Sequence, residues 1–181
     1  MHKTIIYQML PRLWGNDRIK PKKNGGLSDN GTGKFSDIDN ASLEYIKWLG
    51  CSHVWYTGVI RHSTQASEDG CTPSHPQFVK GKAGSPYAIC DYYDVNAYLA
   101  DNAGDRMLEF EQLIKRTHDA GLKVIIDFVP NHVARDYGKV DMTPGHPVLG
   151  AEDDRCVHWR EENDFIYYPG EALRLPTESP K

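Results

Sequence analysis

Apolar and polar positions fall along this chain in blocks that predict strands and helices in one repeating order. Residues Thr4 to Leu10 (TIIYQML) are apolar and β-prone, and Pro11 stops them. The polar, glycine-rich stretch from Asn24 to Lys34 reads as a loop. Ile38, Ala41, Tyr45 and Leu49 then recur at helical spacing, with Gly50 where a helix ends in a left-handed residue. His53 to Ile60 (HVWYTGVI) predicts a second strand directly after that glycine. A second helix is predicted over roughly Asp105 to Ala120, with Met107, Phe110, Ile114 and Thr117 as its inward stripe. Its acids lie early and its bases late, matching the helix dipole, and Gly121 closes it.

The third strand follows at once in KVIIDFVPNHV, Lys123 to Val133. Its nearly unbroken apolar run predicts a parallel strand covered on both faces, carrying one acid, Asp127, inside it. Side chains alternate along a strand, so Ile125, Asp127, Val129 and Asn131 point one way while Ile126 and Phe128 point the other. A carboxylate there needs a partner, either as a structural acceptor or as part of a site. Pro130 ends the strand and delivers Asn131 and His132 at its carboxyl edge.

The order β-α-β-α-β, with tight helix-to-strand joints and long strand-to-helix connections, predicts an α/β fold whose long loops gather on the carboxyl side of a parallel sheet. Sites of α/β folds lie on that side. The connection from Arg61 to Gly104 is far longer than such joints usually are, and its aromatics argue against disorder. After His132, proline and glycine recur without a helical stripe, which predicts a loop-rich excursion or small inserted domain.

Composition removes several function classes. The 181 residues are 39% hydrophobic, enough for one core, and no apolar stretch approaches the roughly 20 residues that span a bilayer. The net charge of -4 exerts no general pull toward nucleic acid or anionic lipid. Cys51, Cys71, Cys90 and Cys156 are too far apart for paired C-x-x-C motifs, and with no secretory signal in the first residues they are expected to be free thiols in a cytoplasmic protein.

On these residues the chain resembles the α-amylase family of glycoside hydrolases, a (β/α)8 barrel family. The motifs that carry the resemblance are IIYQMLPRLW, IDNASLEYIKWLGCSHVWYTGVI, SPYAICDYYDVN and DFVPNHV. It implies a partial (β/α)8 TIM barrel of about three βα units over residues 1–137, and over 138–181 the start of the domain this family inserts after its third strand. It also implies α-glucan or malto-oligosaccharide substrates. The family pattern D-x-x-x-N-H falls on Asp127, Asn131 and His132. The resemblance then implies that His132 hydrogen-bonds a sugar hydroxyl, that Asp127 braces the site, and that Asn131 helps bind a structural calcium where the ion is present. Their chemistry agrees, since a carboxamide oxygen is a hard ligand and an imidazole can donate or accept. Tyr87 and Asp91 match the pattern G-Y-x-x-x-D, with Pro86 in place of the glycine, and Tyr87 would be the aromatic platform under a sugar ring. Tyr92 and Tyr93 are expected only to pack the long loop.

Retaining glycoside hydrolysis needs two carboxyl groups about 5 to 5.5 Å apart. In this family they stand, with a third acid, on the fourth, fifth and seventh strands, and three strands can be counted here. No catalytic residue is therefore assigned, and Asp153, Asp154, Glu161 and Glu162 are expected to be solvated surface. A partial barrel leaves sheet edges and a barrel-facing surface open, which predicts self-association. The alternative reading is a non-catalytic carbohydrate-binding remnant. A metal-dependent hydrolase built on His62, His75 and His132 lacks the H-E-x-x-H helical pair. The GGLSDNGTG stretch lacks the G-K-[ST] ending of a phosphate loop.

Overall fold

The computed structural model describes residues 3–66, 72–139 and 142–172. The chain divides into two compact units, Met1–Pro144 and Gly145–Lys181. Among the described residues no helix is long and apolar enough to cross a membrane.

The first unit is built on three parallel strands, β1 (Ile6–Met9), β2 (His53–Tyr56) and, last in the chain, β5 (Lys123–Ile126). They lie side by side in chain order, with Ile6 opposite His53 and His53 opposite Lys123. Helix α1 (Leu27–Asn30) is a single turn inside the stretch read as loop. Helices α2 (Asn40–Trp48) and α3 (Arg106–Asp119) join the parallel strands. Gly50 and Gly121 follow their ends at φ 84° and 81°, as the sequence predicts.

The phase of α2 differs from the predicted stripe. Asp39 caps the helix by accepting from the Ser42 N–H at 2.8 Å, so Ile38 lies before the helix and does not set its face. The inward residues are Leu43 and Ile46, while Ala41, Tyr45 and Leu49 are exposed. On α3 the inward residues are Phe110, Leu113 and Thr117, and Met107 is exposed. These faces close one core with Met9, Val54, Tyr56, Phe35, Ile38 and Leu99. Polar groups inside it are paired. The Tyr56 hydroxyl lies 2.6 Å from Thr117 Oγ1, and burial pushes its pKa up to about 12. Arg116 of α3 donates to the Ile38 and Phe35 carbonyls, both at 2.9 Å, locking α3 to the turn that precedes α2.

The predicted second strand, His53 to Ile60, is two strands. It breaks after Tyr56 at a turn holding Gly58 at φ 76°, a left-handed conformation that favours glycine. The chain resumes as β3 (Ile60–His62), which pairs antiparallel with β4 (Ile89–Val95). The described part of the long second connection, an excursion from the parallel sheet, thus carries regular structure, including 3-10 turns at Ala97–Leu99 and Ala103–Asp105. A buried ion-pair group ties it to α3: Asp94 accepts from Arg106 Nε at 2.7 Å and Nη2 at 2.8 Å, and from Arg61 at 3.3 Å. The planar fork of Arg106 suits this two-point contact.

The third parallel strand ends at Ile126, earlier than its apolar run suggests, and it is not covered on both faces. Ile126 is 42% and Phe128 77% exposed, because β5 is an edge of the sheet with no further strand beside it among the described residues.

In the second unit, loop residues 145–172 are held by acids. Asp153 accepts from the Asp164 and Phe165 N–H groups and from the Tyr167 hydroxyl at 2.8 to 3.0 Å, and Asp154 and Asn163 pair through backbone and side chain. Asp153 and Asp154 therefore organise the loops rather than only coat them, whereas Glu161 and Glu162 are exposed. Cys51, Cys90 and Cys156 are free thiols; Cys71 lies outside the described residues.

The uncovered edge has a measurable consequence. At tens of micromolar the chain is expected to self-associate in sedimentation velocity, and Phe128→Ser is expected to shift it toward monomer. A wild-type chain that stays monomeric would contradict this account of the edge.

Candidate functional site at the carboxyl edge of the sheet

The site is assembled where β1, β2 and β5 end. Trp55 pairs in register with Ile125, so Asp127, two residues further along the same face, reaches the turn after β2. Its Oδ1 accepts from the Trp55 indole at 2.7 Å and its Oδ2 from the Gly58 N–H at 3.1 Å. Asp127 is half-buried, and both of its oxygens are engaged.

Beyond Asp127 the backbone leaves the sheet and lies against β4. The Ala134 N–H donates to the Ile89 carbonyl at 2.8 Å. The Tyr92 hydroxyl donates to the Val129 carbonyl and reaches the His132 carbonyl at 3.4 Å, while its ring packs on Phe128 and Tyr137. Tyr92 is thus more than loop packing: it clamps the turn that carries Asn131 and His132. Both of these side chains are exposed, with Asn131 Nδ2 3.3 Å from His132 Nδ1.

Tyr87 is 46% exposed, and its neighbour Pro86 lies against Gly58, the turn that Asp127 holds, which places Tyr87 at this edge. Pro86, which replaces the glycine of the family pattern, packs beside Gly58 and Leu10: a Cβ built on Gly58 would lie 3.0 Å from Pro86 Cβ and 3.2 Å from Leu10 Cδ1. Asp91 is fully buried. It accepts from the Tyr93 N–H at 2.9 Å and from the Thr143 N–H and hydroxyl, both at 2.7 Å, and so anchors loops.

Asn96 is the residue that sequence reasoning passed over. Buried at 2% exposure, its amide donates to the Gly58 and Ile60 carbonyls at 3.2 and 3.0 Å, and its oxygen accepts from the His62 N–H at 3.2 Å. Its sequence signal is its place as the last residue of the SPYAICDYYDVN motif, which gives no sign of its partners.

The three histidines considered as metal ligands do not converge. His62 is buried among Asn96, the Tyr98 hydroxyl at 3.1 Å and the Ala83 carbonyl, whereas His75 and His132 are exposed. Among the described residues no three His, Cys, Asp or Glu side chains gather as a metal site. A calcium ion takes six to eight oxygens, of which Asn131 offers one. The residues present do not by themselves fit that shell.

Asp91, Asp94 and Asp127 have both oxygens in hydrogen bonds, and Asp136, which accepts from Ser63, keeps one buried oxygen without a partner. What the edge presents outward is an aromatic ring, an imidazole and a carboxamide.

A family model described as alpha amylase, catalytic domain, matches residues 21–148. An alpha-glucosidase of Pediococcus pentosaceus is 25% identical over 96% of this chain and 23% of its own length. An amino acid transporter heavy chain of Mus musculus is 26% identical over 71% of this chain and 14% of its own. Among solved structures, a maltogenic alpha-amylase of Thermotoga neapolitana superposes with a TM-score of 0.50 at 28% identity, covering 75% of this chain and 25% of that one. The chain spans about a quarter or less of the lengths of these relatives.

Two predictions come from this geometry. Burial lowers the His62 pKa from 6.5 to about 4, so the unfolded chain binds the extra proton between those values. Stability from this group is present above pH 6.5 and lost as pH falls toward 4, by up to about 3 kcal/mol. Urea titrations across that window should show the slope, and His62→Gln should flatten it. For Tyr92→Phe, loss of the hydroxyl should cost about 0.5 to 1.5 kcal/mol. It should also speed hydrogen exchange of the Ala134 amide; unchanged exchange would remove the clamp.

Proposed function

The chain belongs to the α-amylase catalytic-domain family, and from that membership we propose that it forms the sugar-contacting arc of a (β/α)8 glycoside hydrolase acting on α-glucosidic bonds of starch-like or malto-oligosaccharide substrates. Tyr87 offers a ring face to the apolar C–H groups of a glucose unit. His132 exchanges a hydrogen bond with a hydroxyl, with its position held by the backbone clamp of Tyr92. Asp127 holds the ends of β2 and β5 at a fixed spacing, and with both oxygens in use it acts as a brace.

The observation that carries this reading is the division of labour at the edge. Polar groups free to meet a sugar are exposed there, while Asp91, Asp94 and Asp127 are spent on internal donors. A nucleophile or general acid needs an oxygen directed at the glycosidic bond. These three carboxylates are therefore not assigned to bond cleavage, and from the family resemblance we assign it to carboxylates outside these 181 residues. The non-catalytic carbohydrate-binding alternative rests on the same contacts and differs only in whether such carboxylates complete the site. No step is routed through calcium.

Ligand-observed NMR with maltotriose tests the reading. Tyr87→Ala and His132→Ala should each weaken binding about tenfold, the scale of one aromatic or hydrogen-bonded contact. The chain alone should release no reducing sugar from starch. Unchanged binding in both variants would overturn the assigned contacts, and sustained starch cleavage would overturn the division of labour.

A further inference from the structure

Away from Tyr87, Asp127, Asn131 and His132, which do not line it, the first unit holds a cavity of about 440 Å³. One wall is the segment that follows β1, from Arg12 to Thr32. The other is the start and return of the excursion, Thr64 to Ala66 with Lys82 and Ala83, and Tyr98 closes the floor. Three cations line it, Arg12, Arg18 and Lys82, and among the described residues no aspartate or glutamate does. None of the three makes an ion pair among the described residues. Three like charges facing one space repel unless an anion joins them.

The walls are built rather than loose. Asn30 brackets Lys22 by accepting from its N–H at 2.7 Å and donating to its carbonyl at 3.0 Å. Asn16 donates to the Asn30 carbonyl at 3.1 Å and accepts from the Arg18 N–H at 3.2 Å, which seats Arg18 on this frame. Arg12 lies across the gap, with Nη1 3.4 Å from the Ala83 carbonyl and 3.5 Å from that of Gly84. The Tyr98 hydroxyl rests on neutral His62, so the floor adds no charge of its own at neutral pH.

The surrounding charges narrow the ligand. Among the described residues Asp29 is a nearby carboxylate; the Lys82 charge helps to lower its pKa, and it is held by Lys22 at 3.1 Å and by the Gly26 N–H at 3.1 Å. That bond also removes the Gly26 N–H from any ligand, so the cations and not the single turn of α1 would do the recognition. A divalent cation finds no carboxylate among the described wall residues. A phosphate monoester carries about -1.5 to -2 charges at pH 7 and matches guanidinium geometry. The cavity volume lies in the range of small-molecule sites, with Leu13, Leu27 and Pro21 offering apolar surface beside the Asn16, Thr64 and Gln65 side chains. We infer that this cavity binds the phosphate monoester of a small saccharide, with Arg12, Arg18 and Lys82 around the phosphate and the mixed walls around the sugar.

The test is ligand-observed NMR on the full chain at micromolar concentration and low salt, with glucose 6-phosphate, inorganic phosphate and glucose as probes. Saturable binding of glucose 6-phosphate is expected, at least tenfold tighter than either of the other two. The Arg18→Ala/Lys82→Ala double variant should weaken it tenfold or more, and Lys82→Glu should abolish it. Both side chains are exposed, so circular dichroism should stay unchanged. His132→Ala should leave this binding intact, which separates it from maltotriose recognition. No saturable binding, equal binding by the double variant, or glucose binding as tight as its phosphate would overturn the proposal. Inorganic phosphate binding as tightly as the ester would overturn the saccharide assignment in favour of a free anion.

Discussion

A chain that leaves a parallel sheet in mid-strand must find partners for the peptide groups it uncovers, and this requirement shapes the whole first unit. After Tyr56 the backbone turns at Gly58, whose N–H goes to Asp127 and whose carbonyl goes to Asn96. An unpaired buried peptide group would cost free energy comparable to a lost hydrogen bond. The two side chains come from residues 69 and 38 positions away. Asp127 thereby joins the end of the third parallel strand to the end of the second, and Asn96 joins the end of β4 to the turn after the second.

From that junction the outward edge acquires its character. Because Asp127 is committed to the Trp55 indole and the Gly58 N–H, it stiffens the floor on which the Asn131–His132 turn stands. Tyr92 stiffens the same turn from the excursion side through backbone carbonyls. Carbohydrate recognition benefits from such rigidity, since each immobilised side chain subtracts ordering entropy from affinity. The buried ion-pair group of Asp94, Arg61 and Arg106 keeps the excursion itself in register with α3. Its worth lies in geometry more than in net stability, as expected for buried charges.

Two surfaces of opposite character thus share one unit. The strand edge exposes a ring, an imidazole and a carboxamide, which suit a neutral sugar. The cavity between the segment after β1 and the excursion is lined by cations, with no carboxylate among the described lining residues. Both rest on the same buried column, since His62 contacts Asn96 on one side and Tyr98, the cavity floor, on the other.

Local pattern alone determined the order of the three parallel strands and the two long helices between them, and the glycine stops at Gly50 and Gly121. These depend on side-chain period and on which residues adopt a left-handed turn, both readable within a few positions. Tertiary structure decided the inward face of α2, where the Asp39 cap and the preceding turn override the spacing from Ile38. It also split the segment His53 to Ile60, cut the third strand short at Ile126, and made Asn96 and Tyr92 positioning groups. The physical reason is range. A hydrogen-bond partner 30 to 70 residues away leaves no trace in local periodicity, so the sequence shows that Asp127 needs donors, and only the folded chain names them as Trp55 and Gly58.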